Sequence, residues 1–339
     1  MRVLLIKTSS MGDLIHTFPA LTDAGKILPN IKFDWLVEES FAEIPSWHPL
    51  VDKVIPIAIR RWRRQLFSKK TYAEIRQLRR VLNQSKYDFI LDAQGLVKTA
   101  WLNFLVKGKR VGLDWSSARE ALASLIYQEK HTINFYQHAV KRMRELFSQA
   151  LHYPLPDTFP DFGFTEKLPT LNHKKNEIIF LHSTTWESKQ WPEIYWIELA
   201  RLFQQAGFTM KMGGGNTNEL ARAARIAQTC DAITLLPRLS INATAELLSN
   251  ARGVIAVDTG FGHLAAALTI PTVSIYGSTN PNYTSALGKK SIHLAANFPC
   301  SPCLQKCCDY KKPTAVAPAC YTTITPKQVF NALMNILEN

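Results

Sequence analysis

The stretch AVDTGFGHLAAAL, Ala256 to Leu268, runs an apolar segment into an aspartate, two spaced glycines and the start of a helix. Backbone N–H groups left free at a helix start, backed by the helix dipole, favour an anion by about 0.3–1 kcal/mol when exposed and up to about 2 kcal/mol when partly buried. Thr259, Gly260 and His263 are therefore candidate phosphate contacts and Asp258 lines the same turn, although Asp258 or Thr259 could equally do no more than cap the helix. FLHSTTWESKQWP, Phe180 to Pro192, gathers Thr184, Thr185 and Lys189 in a loop walled by Trp186 and Trp191; hydroxyls and an ammonium converging after a strand suit a diphosphate. KMGGGNTNE follows the next apolar run. Its glycines let a ligand approach the main chain at Met212 and Gly213, and Glu219 could accept from ribose hydroxyls or be only the acidic residue that a first helical turn favours.

KTSSMGDLIHTFPAL, Lys7 to Leu21, follows the first apolar run and holds one carboxylate, Asp13, where a helix should begin. Capping is the ordinary use of such an aspartate. The stretch has neither the G-x-x-x-x-G-K-[ST] of a P-loop nor the G-x-G-x-x-G of a dinucleotide fingerprint, so nucleotide is not expected at this end of the chain. IAIRRWRRQLFSKK packs Arg60, Arg61, Arg63, Arg64, Lys69 and Lys70 around Trp62, either as a solvated face or as a site for an anionic headgroup, sugar acid or lipid phosphate. Zinc-finger spacing, RNP-type aromatics and a helix-turn-helix pattern are all missing from the sequence, and nucleic acid is not an expected partner. Five of the six cysteines fall between Cys300 and Cys320. They form a C-x-x-C followed by Cys307, Cys308 and Cys320, and read as reduced thiols or, less readily, structural metal. With no D-x-D anywhere, no divalent ion and no cofactor are expected.

These junctions need a scaffold that ends strands beside one another. Apolar runs at Val3–Ile6, Phe33–Val37, Val54–Ile57, Phe89–Leu91 and Arg110–Leu113 alternate with helical stretches such as Thr71–Leu82 and Leu96–Leu105. A second series runs Ile178–Leu181, Phe208–Met212, Ile233–Leu235, Val254–Val257 and Val273–Tyr276, with helices at Glu193–Gln205, Asn218–Gln228, Ala243–Ser249 and Gly262–Leu268. Such alternation predicts α/β domains with parallel sheets. Two doubly wound, Rossmann-like domains facing a central cleft are expected, over 1–155 and 177–339, joined by the Pro-rich linker 156–176; a final helix, 326–338, could pack back on the N-terminal domain. In such sheets ligands sit outside the carboxyl ends of strands, where all four junctions fall.

The 339 residues suffice for two packed domains, and the net charge of +13 is uneven: residues 1–150 hold 24 Lys and Arg against 14 Asp and Glu. The basic half calls for an anionic partner. No apolar run approaches the roughly 18 residues of a membrane span, so a soluble cytoplasmic protein is expected, at most surface-bound to a membrane.

VLLIKTSSMGDLIHTFPALTDA, KFDWLVEESFAEIPSWHPLVDKVIPIAIRRWRR, DAQGLVKTA and VGLDWSSAREALASLIY resemble the N-terminal domain of lipopolysaccharide heptosyltransferases of type I, in glycosyltransferase family 9, and HSTT, KQWP and VDTGFGHLAAAL resemble their C-terminal domain. The resemblance implies a GT-B fold and an inverting, metal-independent transfer of L-glycero-D-manno-heptose from its ADP derivative to the inner Kdo of Kdo-bearing lipid A, at the cytoplasmic face of the inner membrane. Carried over by motif, Asp13 is the base. Lys189, Thr184, Thr185, Thr259, Gly260 and His263 contact the diphosphate or heptose, while Glu219, Asp258, Met212 and Gly213 hold adenosine and ribose. Ser10, Gly12, Arg60, Arg61, Arg63, Arg64, Arg119, His138 and Arg142 contact the acceptor. The cysteine segment instead resembles a stretch of type II heptosyltransferases, leaving a type II or III enzyme acting on a heptosylated core as the alternative acceptor reading. More distant is a basic membrane- or nucleic-acid-binding module without catalysis. A dinucleotide-dependent dehydrogenase would share the layout but should carry G-x-G-x-x-G.

Overall fold

The computed structural model describes residues 1–65, 67–164 and 176–338, and the chain divides into two compact units, Met1–Lys167 and Leu168–Asn339. The first contains β1 (Arg2–Ile6), α1 (Met11–Ile15), α2 (Phe18–Ile27), β2 (Lys32–Glu38), β3 (Val51–Ile57), α3 (Ile59–Trp62), α4 (Lys69–Leu82), β4 (Phe89–Asp92), α5 (Val97–Ala100), β5 (Lys109–Leu113), β6 (Glu129–His131) and α6 (Ala139–Ala150). The second contains β7 (Glu177–Leu181), α7 (Glu193–Gln205), β8 (Thr209–Met212), α8 (Thr217–Ala227), β9 (Ile233–Leu235), α9 (Ile241–Ser249), β10 (Gly253–Val257), α10 (Gly260–Ala267), β11 (Thr272–Tyr276), α11 (Pro281–Thr284), β12 (Ser291–Ala295) and α12 (Pro326–Glu338).

Each unit is built on a six-stranded sheet, ordered β3-β2-β1-β4-β5-β6 in the first and β12-β11-β10-β7-β8-β9 in the second. Every pairing is parallel, for example Val3 with Phe33 and Phe89, and Ile255 with Phe180 and Val273. Central strands covered on both faces are mainly apolar, and Val3, Leu4, Leu5 and Ile6 are fully buried. Strand order reverses between β1 and β4 in one sheet and between β7 and β10 in the other, and a doubly wound sheet leaves a crevice for ligands at that switch. The loops leaving β1, β4, β7 and β10 begin at Lys7, Ala93, His182 and Asp258, so three of the four predicted junctions sit at a switch point.

Helices cover these sheets through close packing. A Cβ on Gly262 would stand 3.0 Å from that of Ala256, so glycine lets α10 lie directly on β10. On the other face of β10, reached by Ile255 and Val257, Phe180, Trp191, Trp196 and Phe203 form an aromatic core, with Phe180 and Trp196 ring centres 5.0 Å apart.

Several elements differ from the sequence expectation. The helix expected over Leu96–Leu105 is the short α5 followed by a 3-10 helix, Trp101–Leu105. Strands β6 and β12 were not foreseen: both are sheet edges, and Glu129-Lys130-His131 carries the charge that protects an edge and hides it from an apolar-run reading. The apolar positions of α6, Val140, Met143, Leu146 and Phe147, are interrupted by Lys141, Arg142 and Glu145, and its cap is His138, whose Nδ1 accepts from the Val140 N–H. The helix expected over 326–338 is present as α12, and its Val329 and Leu333 join the core with Phe203 and Ile255. Most of the expected linker, 165–175, falls outside the described residues. Its beginning is strapped to the first unit, as Arg144 donates to the carbonyls of Pro156 and Thr158, Asp161 pairs with Lys26 at 2.6 Å and Phe164 packs on Phe18.

Candidate active site

At the β1 end of the first sheet, Ser10 caps α1 and donates from both its N–H (2.7 Å) and its hydroxyl (2.9 Å) to Asp13 Oδ2. Among the described residues nothing bonds Oδ1, so the capping reading is true of one carboxylate oxygen only. Burial works to raise the Asp13 carboxyl, but Lys7, the Ser10 hydrogen bonds and Arg119 outweigh it and hold the group below the usual carboxylate range. Asp13 is thus an anion at neutral pH, set among cations. Arg142, over the Phe135 ring at 4.7 Å, is pushed down by burial and supported by Asp13 against Arg119. Its buried Nε has no hydrogen-bond partner among the described residues. His138 stands edge-on to His16, ring centres 5.4 Å apart, and Gly12 is buried within α1.

The loop after β4 holds this site in place. Asp92 is fully buried and accepts from the N–H groups of Gln94 and Gly95 and from the hydroxyls of Thr99 and Tyr127, the last at 2.9 Å. Gln94 Oε1 then accepts from the N–H groups of Thr8 (3.0 Å) and Ser9 (3.3 Å), and Lys7 Nζ donates to the Ala93 carbonyl at 2.8 Å.

The arginine run divides. Arg61 forms a two-pronged pair with Glu74, at 2.9 and 3.0 Å, and also meets Glu39. Trp62, buried, donates to the same Glu74 carboxylate, which makes it the anchor of α3. Arg61 is therefore committed within the fold, whereas Arg63 and Arg64 are exposed and Arg60 lies over the Phe41 ring at 5.4 Å. Lys98 on α5 shows where the cations gather: burial, then Arg60, push its amine down, Glu38 opposes, and Arg63 and Arg119 push it further.

In the second unit, Asp258 at the end of β10 holds Lys189 Nζ at 2.7 Å, accepts from the Thr279 hydroxyl at 2.7 Å and lies 3.8 Å from His263 Nε2. Burial would raise this carboxyl; His263 and Lys189 overcome it and hold it far below the ordinary range. The Lys189 ammonium also sits 4.5 Å from the centre of the Trp186 ring, and Thr184 donates to the Asp258 carbonyl at 3.0 Å. These contacts bring Thr184, Lys189, Asp258 and His263 together beside Thr259 and Gly260, where the N-cap Thr259 side chain makes no capping bond to α10. Thr185 is exposed on the same loop.

A protein-family model, glycosyltransferase family 9 (heptosyltransferase), matches residues 75–313. Lipopolysaccharide heptosyltransferase 1 of Pseudomonas aeruginosa is 47% identical over 99% of this chain and 98% of its own length. The chain belongs to glycosyltransferase family 9. Escherichia coli heptosyltransferase WaaC solved with ADP superposes with a TM-score of 0.88 at 41% identity, covering 99% of this chain and 100% of that one. The same enzyme with ADP-2-deoxy-2-fluoro heptose gives 0.83 at 42%, covering 99% of each. The family 9 fold is GT-B.

Within this glycosyltransferase, two positions drawn from the glycine-rich loop behave differently from the rest. Met212 is fully buried in the core with Phe180 and Ala223, so only its main chain is available to a ligand. Glu219 Oε2 accepts from the Gly215 N–H at 2.7 Å, while Asn216 caps α8 by accepting from the Glu219 N–H. Gly214 is required there, because a Cβ would lie 2.6 Å from the Glu219 Cβ. Sequence reading missed Lys7, Gln94, Lys98 and Thr279. The first three lie in KTSS and DAQGLVKTA, where no local pattern sets a lysine or an amide apart from its neighbours. The cysteines are free thiols; burial, then the other thiols, pushes Cys320 up to about 12. Among the described residues no three His, Cys, Asp or Glu side chains are placed to hold a metal ion.

Proposed function

We propose that this family 9 glycosyltransferase moves L-glycero-D-manno-heptose from ADP-heptose to the inner Kdo of Kdo-bearing lipid A, with inversion and without a metal, as a peripheral protein at the cytoplasmic leaflet of the inner membrane. The observation that carries this reading is Asp13: an ionised carboxylate with one unbonded oxygen, ringed by Lys7, Arg119 and Arg142, in a chain 47% identical to a lipopolysaccharide heptosyltransferase 1. An inverting transfer needs a base on the face opposite the leaving group, and Oδ1 of Asp13 can take the acceptor hydroxyl proton as the anomeric carbon becomes oxocarbenium-like. Arg119 and Arg142 beside it, and the Lys98, Arg60 and Arg63 cluster in which Arg119 also takes part, suit an acceptor with carboxylate and phosphate groups. The departing ADP gains negative charge, which Lys189, His263 and the free N–H groups at the start of α10 stabilise. Peripheral association is supported by the basic N-terminal half, and no helix among the described residues is long and apolar enough to cross a membrane.

Incubation with ADP-heptose and Kdo-bearing lipid A, followed by mass spectrometry, tests this. The acceptor should gain one heptosyl residue, with and without EDTA. A product formed only on an already heptosylated acceptor would move the assignment to a type II activity, and no product on either would remove it.

Gln94 acts as a positioning residue, through the main chain that carries Asp13. Gln94→Ala removes two hydrogen bonds of about 0.5–1.5 kcal/mol each, so kcat should fall roughly 5- to 150-fold with KM for ADP-heptose unchanged. Steady-state kinetics showing both parameters at wild-type values would mean that the loop needs no such support.

A further inference from the structure

The 3-10 helix Ala121–Ile126 brings every third side chain to the same side, and its burial follows that period. Ala123 and Ser124 are buried, whereas Leu122 and Leu125 are 61% and 65% exposed. This turn packs on α5, which also packs on the 3-10 helix Trp101–Leu105, where Phe104 is 62% exposed. Arg110 links the two turns: its Nε donates to the Ile126 carbonyl at 3.0 Å, and its guanidinium lies 5.6 Å from the Phe104 ring centre. Two leucines and a phenylalanine therefore stand out around one arginine, and none of them serves the Asp13 site. Contiguous exposed apolar groups of this kind mark a surface that something covers.

The charges around them say what. Arg110 stands between the two turns, Lys98 lies on α5, which packs on both, Lys107 follows one turn and Arg119 precedes the other, against Glu120, whose carboxylate is occupied by the Val97 N–H at 2.7 Å. A second copy of a chain carrying +13 would set the same basic rim against itself. An anionic lipid surface complements both features, because leucine and phenylalanine enter the acyl boundary while long basic side chains reach back to the phosphates. We propose that this face, formed by Leu122, Leu125 and Phe104 about Arg110 and flanked by basic segments, docks the protein on anionic bilayers and sets Lys98 and Arg119 at the level of the lipid headgroups, the second part resting on the function proposed above.

Vesicle co-sedimentation of the full chain tests the docking. Wild type should bind phosphatidylglycerol-containing vesicles and not pure phosphatidylcholine, and Leu122→Ser/Leu125→Ser should weaken binding at least tenfold. Raised salt should weaken wild type and abolish what the variant retains. On a Kdo acceptor without acyl chains the variant should keep wild-type kcat and KM, which shows that it is folded, while KM for vesicle-embedded acceptor rises by the factor lost in binding. Equal vesicle binding by variant and wild type would overturn the proposal, as would a wild-type dimer that the variant dissociates, since the face would then be a self-interface. Failure of transfer to the soluble acceptor by both proteins would remove the functional reading and leave the vesicle result to stand alone.

Discussion

Asp13→Asn should lose about 10²–10⁴ in kcat while ADP-heptose still binds, the usual contribution of a positioned general base. Asparagine is the informative replacement because its amide oxygen can still accept from the Ser10 N–H and hydroxyl, which in the native chain reach Oδ2 at 2.7 and 2.9 Å. The cap survives and only the base is lost. Alanine removes both, and should add a stability loss of about 0.5–2 kcal/mol from the missing cap. The pH profile gives a second readout. With the Asp13 carboxyl held below its ordinary value of about 3.9, the base stays ionised down to that range, so kcat/KM should not fall between about pH 8 and 5 on its account. By the same sign, its contribution to stability is complete above about pH 3.9 and is lost only as pH drops through the lower folded value. Single-turnover rates for Asp13→Asn within about threefold of wild type would reduce Asp13 to a cap.

The central strands and the α/β alternation were legible because strands buried on both faces must be apolar runs, as Val3–Ile6 and Val254–Val257 are. What stayed hidden was held by interactions that leave no local pattern. Glu129-Lys130-His131 pairs as an edge strand despite its charges, and α6 starts on a histidine cap. At the site, residue type and position singled out Asp13, Lys189, Asp258 and His263 as candidates, but capping alone would account for either aspartate, and their roles were implied by the resemblance. It could not tell which arginines of the run face outward: Arg61 looks like its neighbours until Glu39 and Glu74, far along the chain, close on it. Lys7 and Gln94 were similarly invisible, since their roles rest on main-chain groups of the partner loop, Ala93 for Lys7, and Thr8 and Ser9 for Gln94.

Lys189 should prove as sensitive as the base, but through the donor. Its ammonium has three N–H donors, and Asp258, at 2.7 Å, uses one while fixing the direction of the rest. Charge-assisted contacts contribute about 1.5–3 kcal/mol, so Lys189→Ala should reduce kcat/KM for ADP-heptose roughly 10- to 150-fold. The same substitution leaves the Asp258 carboxylate, 8% exposed, with Thr279 and His263 alone. A buried charge deprived of one partner costs about 3–5 kcal/mol, less where other partners remain, which thermal unfolding would register. The two effects separate with Lys189→Ala/Asp258→Asn, which removes the stranded charge: stability should return toward wild type, while affinity for ADP-heptose should not. If the double variant regains both, Lys189 matters by neutralising Asp258 and not by touching the diphosphate. Titration with ADP and with adenosine then locates the contact, because a lysine on the diphosphate should weaken ADP and leave adenosine binding unchanged.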